Sequence, residues 1–292
     1  MSARFESPAS VAERLRAAEY LPDSSIASTV FLADQLAKPV LVEGPAGTGK
    51  TQLAKSVAEI TGARLIRLQC YEGLDESKAL YEWNYRKQLL RIQASQVSGD
   101  GQKWSELEGD IFAEDFLLTR PLLEAIRAED PVVLLIDEID RVELETEALM
   151  LEVLSEYQVS IPELGTVTAK QTPMVFLTSN NTRELSEALK RRCLFLHVGY
   201  PTIEREREIV ETRVPGITTE LADQVARIVG SLRELDLRKA PSVSETLDWA
   251  RTLVVLGQES VTEQQASETL HVLLKYQSDI DKARHEFLVA KS

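Results

Sequence analysis

Apolar residues along this chain follow two regimes that meet near residue 200. Before that point, short continuous apolar runs alternate with longer segments of helical period. After it, only the helical period remains. The runs 39–44, 64–69, 132–136, 174–179 and 194–198 read as five strands. The run 132–136 is Val-Val-Leu-Leu-Ile, with no polar position on either face, so it is expected to be buried on both. Between the runs, 50–60 has helical character and is stopped by Gly62, and 119–129 is helical. Residues 145–155 carry Leu149, Val153 and Leu154 on one face. Ser10 with Glu13 reads as a capping box that opens a helix to about Tyr20. Ser242 with Glu245, and Thr262 with Gln265, read the same way in the last third. Strands alternating with helices predict an α/β fold with a five-stranded parallel sheet flanked by helices, followed by an all-helical domain. The expected domains are 1–199 and 200–292.

Two stretches break this rhythm. Residues 71–115 hold Gly73, Gly99, Gly101 and Gly109 with Trp83 and Trp104, and read as a helical insertion with a mobile loop around 98–101. In 157–168, Val159 and Ile161 alternate with Ser160, and Val167 sits between Thr166 and Thr168. The intervening Pro162 and Gly165 predict a two-stranded hairpin with a four-residue connection.

Composition narrows the function classes. The chain has 292 residues, 43% hydrophobic and 27% charged, enough for two packed cores. No run approaches the roughly 18 apolar residues that span a bilayer. Residues 1–10 lack a basic-then-apolar export signal, so a cytoplasmic location is expected. Cys70 and Cys193 form no CxxC pair and have no nearby His, which favours buried thiols over a zinc site. The net charge of −14 repels a phosphate backbone, so no nucleic-acid partner is expected. Glu204, Arg205, Glu206, Arg207 and Glu208 alternate in sign and read as a solvated helix face.

The chemistry is concentrated after two of the strands. Gly44-Pro45-Ala46-Gly47-Thr48-Gly49-Lys50-Thr51 fits G-x-x-x-x-G-K-[ST] and lies between a strand and a helix, the context in which that motif binds phosphate. Backbone N–H groups can face phosphate oxygens, Lys50 can bring a cation to the β- and γ-phosphates of ATP, and the Thr51 hydroxyl can ligate Mg²⁺. The second signal is the strand 132–136 running into Asp137 and Glu138. Two carboxylates at a strand end suit magnesium binding by Asp137 and general-base action by Glu138 on the attacking water.

With these residues in view, the chain resembles an AAA+ ATPase of the MoxR type. The phosphate loop, the run Asp137-Glu138-Ile139-Asp140-Arg141 and the all-helical tail carry the likeness, which covers nearly the whole chain. Gly109 to Ala113 looks like that group's short loop before its second nucleotide motif, and Leu196 to Pro201 like the exit from its last strand. Residues 69–75 and 79–85 are similar to the ATPases encoded beside carbon monoxide dehydrogenase and related molybdenum hydroxylases. The resemblance implies an ATP- and Mg²⁺-dependent hydrolase working as a homo-oligomeric ring, most often a hexamer. It implies a partner with a von Willebrand factor A (VWA) domain, and a client metalloenzyme that is remodelled or loaded with metal. It implies that Asn180 is the sensor-1 amide, the alternative being a strand-end turn built by Asn180 and Asn181. It implies that Arg192, or else Arg191, is an arginine finger acting on a neighbouring subunit; a basic helix end is the alternative. The segment 19–23 would border the adenine. The hairpin 157–168 resembles an insert that interrupts helix 2. No arginine stands at the sensor-2 position in 240–245, which leaves Arg238 or Lys239 as substitutes. Three rival functions are weighed against this reading: a nucleotide-dependent switch that rarely hydrolyses, a DNA-handling AAA+ protein, and a small-molecule kinase, which the helical tail and the two arginines disfavour.

Overall fold

The computed structural model describes residues 4–97 and 109–289. The expected mobile loop at 98–101 lies outside them, as does Trp104. The chain divides into two compact units. One comprises Met1–Ala18, Pro22–Glu43 and Thr51–Leu196, and the other Glu19–Leu21, Gly44–Lys50 and His197–Ser292.

In the first unit, α1 (Pro8–Ala17) and α2 (Ser24–Leu36) precede β1 (Val40–Glu43), and α3 (Lys50–Thr61) leads into β2 (Arg64–Gln69). Then come α4 (Glu76–Ala79), β3 (Tyr81–Trp83), α5 (Tyr85–Val97), β4 (Leu117–Thr119) and α6 (Pro121–Arg127). The chain continues through β5 (Val132–Asp137), α7 (Leu144–Glu156), β6 (Gln158–Ile161) and β7 (Gly165–Thr168). It closes with β8 (Met174–Ser179), α8 (Glu187–Arg192) and β9 (Leu194–His197). The fold is α/β. Five strands form a parallel sheet in the order β2-β5-β8-β1-β9, flanked by helices. The strands β5 and β8 are buried along their whole length because each has a strand on both sides and helices over both faces. In this register Gln69 lies beside Asp137 and Glu43 beside Ser179. The polar ends of four strands therefore gather at the carboxyl edge of the sheet, where open α/β sheets place their sites.

Four details differ from the expectations. Ser7, not Ser10, caps α1: its hydroxyl accepts from the Ser10 N–H, and Pro8 supplies the first-turn residue without a donor. The helix α2 had no counterpart in the sequence reading. Its cap is Asp23, whose carboxylate accepts from the Ile26 N–H at 2.8 Å. Helix α6 begins at Pro121 rather than residue 119, because Leu117–Thr119 pairs antiparallel with Tyr81–Trp83. The hairpin β6–β7 forms, with Gln158 opposite Thr168 and Ile161 opposite Gly165. Only 162–164 separate its strands, and Gly165 at φ +81° makes the left-handed step that a three-residue connection needs. This hairpin does not interrupt a helix. It joins the end of α7 to β8, and Val159 and Ile161 are buried in the sheet's core. The antiparallel pair β3–β4 lies in the chain between α4 and α6.

The second unit contains α9 (Ile203–Arg213), α10 (Thr219–Glu234), α11 (Val243–Val255), α12 (Glu263–Leu273) and α13 (Gln277–Val289). Leu221, Val225, Val229 and Leu232 recur at helical spacing on α10 and pack with Trp249 and Leu270 in a separate core. Both anticipated capping boxes are present, Ser242 with Glu245 and Thr262 with Gln265. The alternating charges of 204–208 are not all solvated. Glu206 is 1% exposed and accepts from Arg233 Nη2 at 2.7 Å and from the Thr246 hydroxyl at 2.7 Å. A five-residue charge pattern cannot reveal a partner that arrives from a helix 27 residues away.

Candidate functional site

The loop after β1 is shaped by close approach. At Gly44 a Cβ would lie 2.0 Å from the Val198 carbonyl oxygen, and at Gly47, with φ +74°, 2.4 Å from Ser242 Oγ. No other residue type fits either position without moving backbone or cap. The Thr48 hydroxyl donates to the carbonyls of Pro45 at 3.0 Å and Val198 at 3.1 Å. The Lys50 ammonium is 5% exposed and donates to the carbonyls of Gly44 and Pro45, both at 2.7 Å. The loop thus curls around its own cation, with Ala46 exposed at its crest. Tyr20 reaches within 3.8 Å of a Cβ placed on Gly49, so the segment 19–21 borders the loop. Asp23 is occupied as the cap of α2.

The first unit holds a compact acidic cluster. Asp137 Oδ1 accepts from Thr51 Oγ1 at 2.9 Å and Thr178 Oγ1 at 2.5 Å. Asp137 Oδ2 accepts from Arg67 Nη2 at 2.6 Å and Nε at 3.1 Å. The Glu138 backbone sits in the left-handed region at φ +59°, and its N–H donates to Thr178 Oγ1 at 2.9 Å. One threonine hydroxyl thereby positions both acidic residues. The Glu138 carboxylate remains partly exposed and accepts from Gln69 Nε2 and Arg141 Nη1, each at 3.1 Å. Asp140 is buried, and its Oδ2 takes the N–H groups of Asn180 and Thr182 and the Thr182 hydroxyl. Burial works to raise the Asp140 pKa, but these hydrogen bonds outweigh it and hold the carboxyl below its ordinary value. Asp140 therefore serves as the anchor of the turn after β8, and Asn180 is carried at the end of that strand. The strand-end turn is real as well: Asn181 has φ +58° and donates its N–H to Ser179 Oγ. Cys70 adjoins the cluster, its N–H on the Asp137 carbonyl at 2.8 Å. Burial, then the charges of Asp137, Asp140 and Glu138, push its thiol up to about 12, which keeps it protonated near neutral pH.

The two arginines of α8 differ. Arg192 Nε donates to Ser155 Oγ and its Nη1 to the Ala188 carbonyl at 3.3 Å, so it is tied within its own unit. Arg191 is exposed at the helix end. Neither sensor-2 substitute is idle. The Arg238 guanidinium lies 4.3 Å from the Tyr276 ring centroid, and Lys239 Nζ pairs with Glu245 at 2.9 Å. In the second unit the start of α11 contacts the loop directly, the Ser244 N–H donating to the Gly47 carbonyl at 3.3 Å.

Residues 39–193 match the family model for the AAA domain (dynein-related subfamily), just over half of the chain. The chain belongs to that family. Two uncharacterised proteins of Staphylococcus aureus, from strains bovine RF122 / ET3-1 and NCTC 8325 / PS 47, are each 23% identical over 248 residues. Each match covers 81% of this chain and 86% of the relative. Among solved structures, an alanine-to-serine mutant of Thermotoga maritima RuvB aligns with TM-score 0.52 at 18% identity, covering 94% of this chain and 74% of that one. A proline-to-glycine mutant of the same protein aligns with TM-score 0.50 at 17% identity, covering 92% and 71%. At such identity the likeness concerns fold. The family is one of nucleotide-binding ATPases. No helix among the described residues of this AAA protein is long and apolar enough to cross a membrane.

Four polar residues at this edge were given no role by the sequence reading: Arg67, Gln69, Thr178 and Asp140. Gln69 and Thr178 each put a polar side chain near the end of an apolar strand, which is a signal of sorts. Their partners could be named only once β2 and β8 were known to flank β5.

Proposed function

We propose that this AAA protein is a MoxR-type ATPase whose hydrolysis of ATP drives work on a client protein. The observation that carries the reading is the pairing of Thr51 and Asp137 at 2.9 Å with Glu138 next in sequence, on an α/β sheet whose first strand runs into the loop that wraps Lys50. In this reading Lys50 meets the β- and γ-phosphates, and the N–H groups of the loop from Gly44 to Gly49 accommodate the phosphate oxygens. The Thr51 hydroxyl and the Asp137 carboxylate are hard oxygen donors on adjoining elements. They fit a magnesium ion that takes its remaining ligands from phosphate and water. Bound there, magnesium would neutralise charge on the phosphates. Glu138 accepts the proton of the water whose oxygen attacks the γ-phosphorus, as the bond to the β-γ bridging oxygen breaks. Asn180 orients that water. An arginine from a neighbouring copy offsets the charge on the transferring group. Arg191 suits that role better than Arg192, because Arg192 is already engaged with Ser155 and Ala188.

The finer assignments rest on resemblance. Residues 1–199 would serve as the nucleotide-binding domain and 200–292 as the lid. The working unit would be a cytoplasmic homo-oligomeric ring, a hexamer by analogy. A VWA-domain partner follows from the MoxR resemblance as a whole, and a client metalloenzyme, a molybdenum hydroxylase or carbon monoxide dehydrogenase, from the likeness of 69–75 and 79–85. The test is steady-state ATP turnover with and without Mg²⁺, together with light scattering for ring size. Turnover near zero in every assembly state, with ATP binding intact, would support a nucleotide switch instead.

A further inference from the structure

On the reading that Asp137 holds the magnesium ion, its carboxylate has a second claimant. Both oxygens are already used: Oδ1 by the hydroxyls of Thr51 and Thr178, Oδ2 by two N–H groups of Arg67. The Asp137 side chain is 4% exposed, so no further lone pair of it faces open water. A divalent cation must therefore take an oxygen from one of these three partners. Thr51 would be its fellow ligand. Thr178 is pinned by the N–H of Glu138, which it accepts at 2.9 Å. The Arg67 side chain is 47% exposed and has a path outward. It also carries a full positive charge, so a dication beside it is repelled as well as excluded.

We infer that Arg67 is an internal cation that competes with the divalent metal for Asp137, and so sets the metal concentration at which the site fills. The guanidinium holds Oδ2 with two N–H groups, and leaves when the metal arrives. Arg67 also donates to Gln69 Oε1, while Gln69 Nε2 donates to Glu138. The leaving side chain thus breaks a contact that reaches the neighbouring carboxylate.

The test is Mn²⁺ binding in the presence of ADP, followed by the electron paramagnetic resonance signal of free Mn²⁺, on the full chain. Arg67→Gln is expected to bind Mn²⁺ roughly ten-fold more tightly than the parent, the size of one charge-assisted hydrogen bond. Arg67→Lys, which keeps the charge but not the paired N–H groups, should fall between. Arg141→Gln is the charge control: it removes a cation bonded to Glu138 and not to Asp137. It should change affinity by no more than about two- to three-fold, the scale of an exposed ion pair. Unchanged or weaker binding in Arg67→Gln would overturn the inference, as would an equal gain in Arg141→Gln. Asp137→Asn separates this outcome from failure of the magnesium reading. If the parent's Mn²⁺ binding survives Asp137→Asn, the metal does not sit on Asp137, and the inference falls with that assignment.

Discussion

Gln69 donates to the carboxylate of Glu138 at 3.1 Å, from the strand next to the one that ends at Asp137. The two side chains are 69 residues apart in sequence and meet because β2 and β5 pair in parallel with Gln69 level with Asp137. The bond holds the carboxylate in place and leaves it partly exposed.

Glu138→Gln should keep ATP affinity and lose turnover by roughly 10²- to 10⁴-fold, the usual worth of a general base. Lys50→Ala should lose binding itself. Nucleotide affinity and steady-state hydrolysis measured on both variants separate the roles. Turnover by Glu138→Gln near the parent's rate would remove Glu138 from the chemistry.

The two arginines of α8 are expected to part company. Arg191→Ala should retain ATP binding and lose about 10³-fold in turnover, as fingers do. Arg192→Ala, which breaks contacts to Ser155 and Ala188 within its own unit, should lose less than roughly ten-fold. Mixing Arg191→Ala with Lys50→Ala chains should restore activity, since one chain supplies an intact loop and the other an intact arginine. Absence of rescue in rings verified by light scattering argues against action between subunits.

Substitutions at glycine should rank by what the new Cβ meets. Gly62 has φ +64° and open space around it, so Gly62→Ala should cost only the left-handed strain, ~1 kcal/mol. At Gly44 the Cβ would meet the Val198 carbonyl oxygen at 2.0 Å, so Gly44→Ala should cost about 3 kcal/mol or more and weaken ATP binding besides. Urea unfolding read by circular dichroism gives both numbers. Equal losses would show that the loop yields.

The buried pair in the helical unit offers a stability test remote from the chemistry. Glu206→Ala leaves the Arg233 guanidinium, 10% exposed, without its carboxylate. Stability is expected to fall by about 3–5 kcal/mol, while Glu206→Gln, which keeps an acceptor for Thr246, should fall by less. A denaturation midpoint unchanged in Glu206→Ala would mean that water reaches Arg233.

What the sequence determined by itself was the set of elements whose signals are local. Strands 132–137 and 174–179 were legible because burial on both faces keeps them apolar until their carboxyl ends. The phosphate loop was legible because its glycines, lysine and threonine must be contiguous. The capping boxes at Ser242 and Thr262 were legible because they close within three residues. Tertiary structure alone decided the partners of those residues. Strand order β2-β5-β8 brings Arg67, Gln69 and Thr178 to Asp137 and Glu138 over separations of 40 to 70 residues, and no local period encodes such a meeting. It also decided that Glu206 is buried and that the hairpin 158–168 lies on the core rather than within a helix. It distinguished Arg192, engaged with its own unit, from Arg191. In each case the deciding quantity was which surface another element covers, and that is settled only when the sheet and the helical bundle pack.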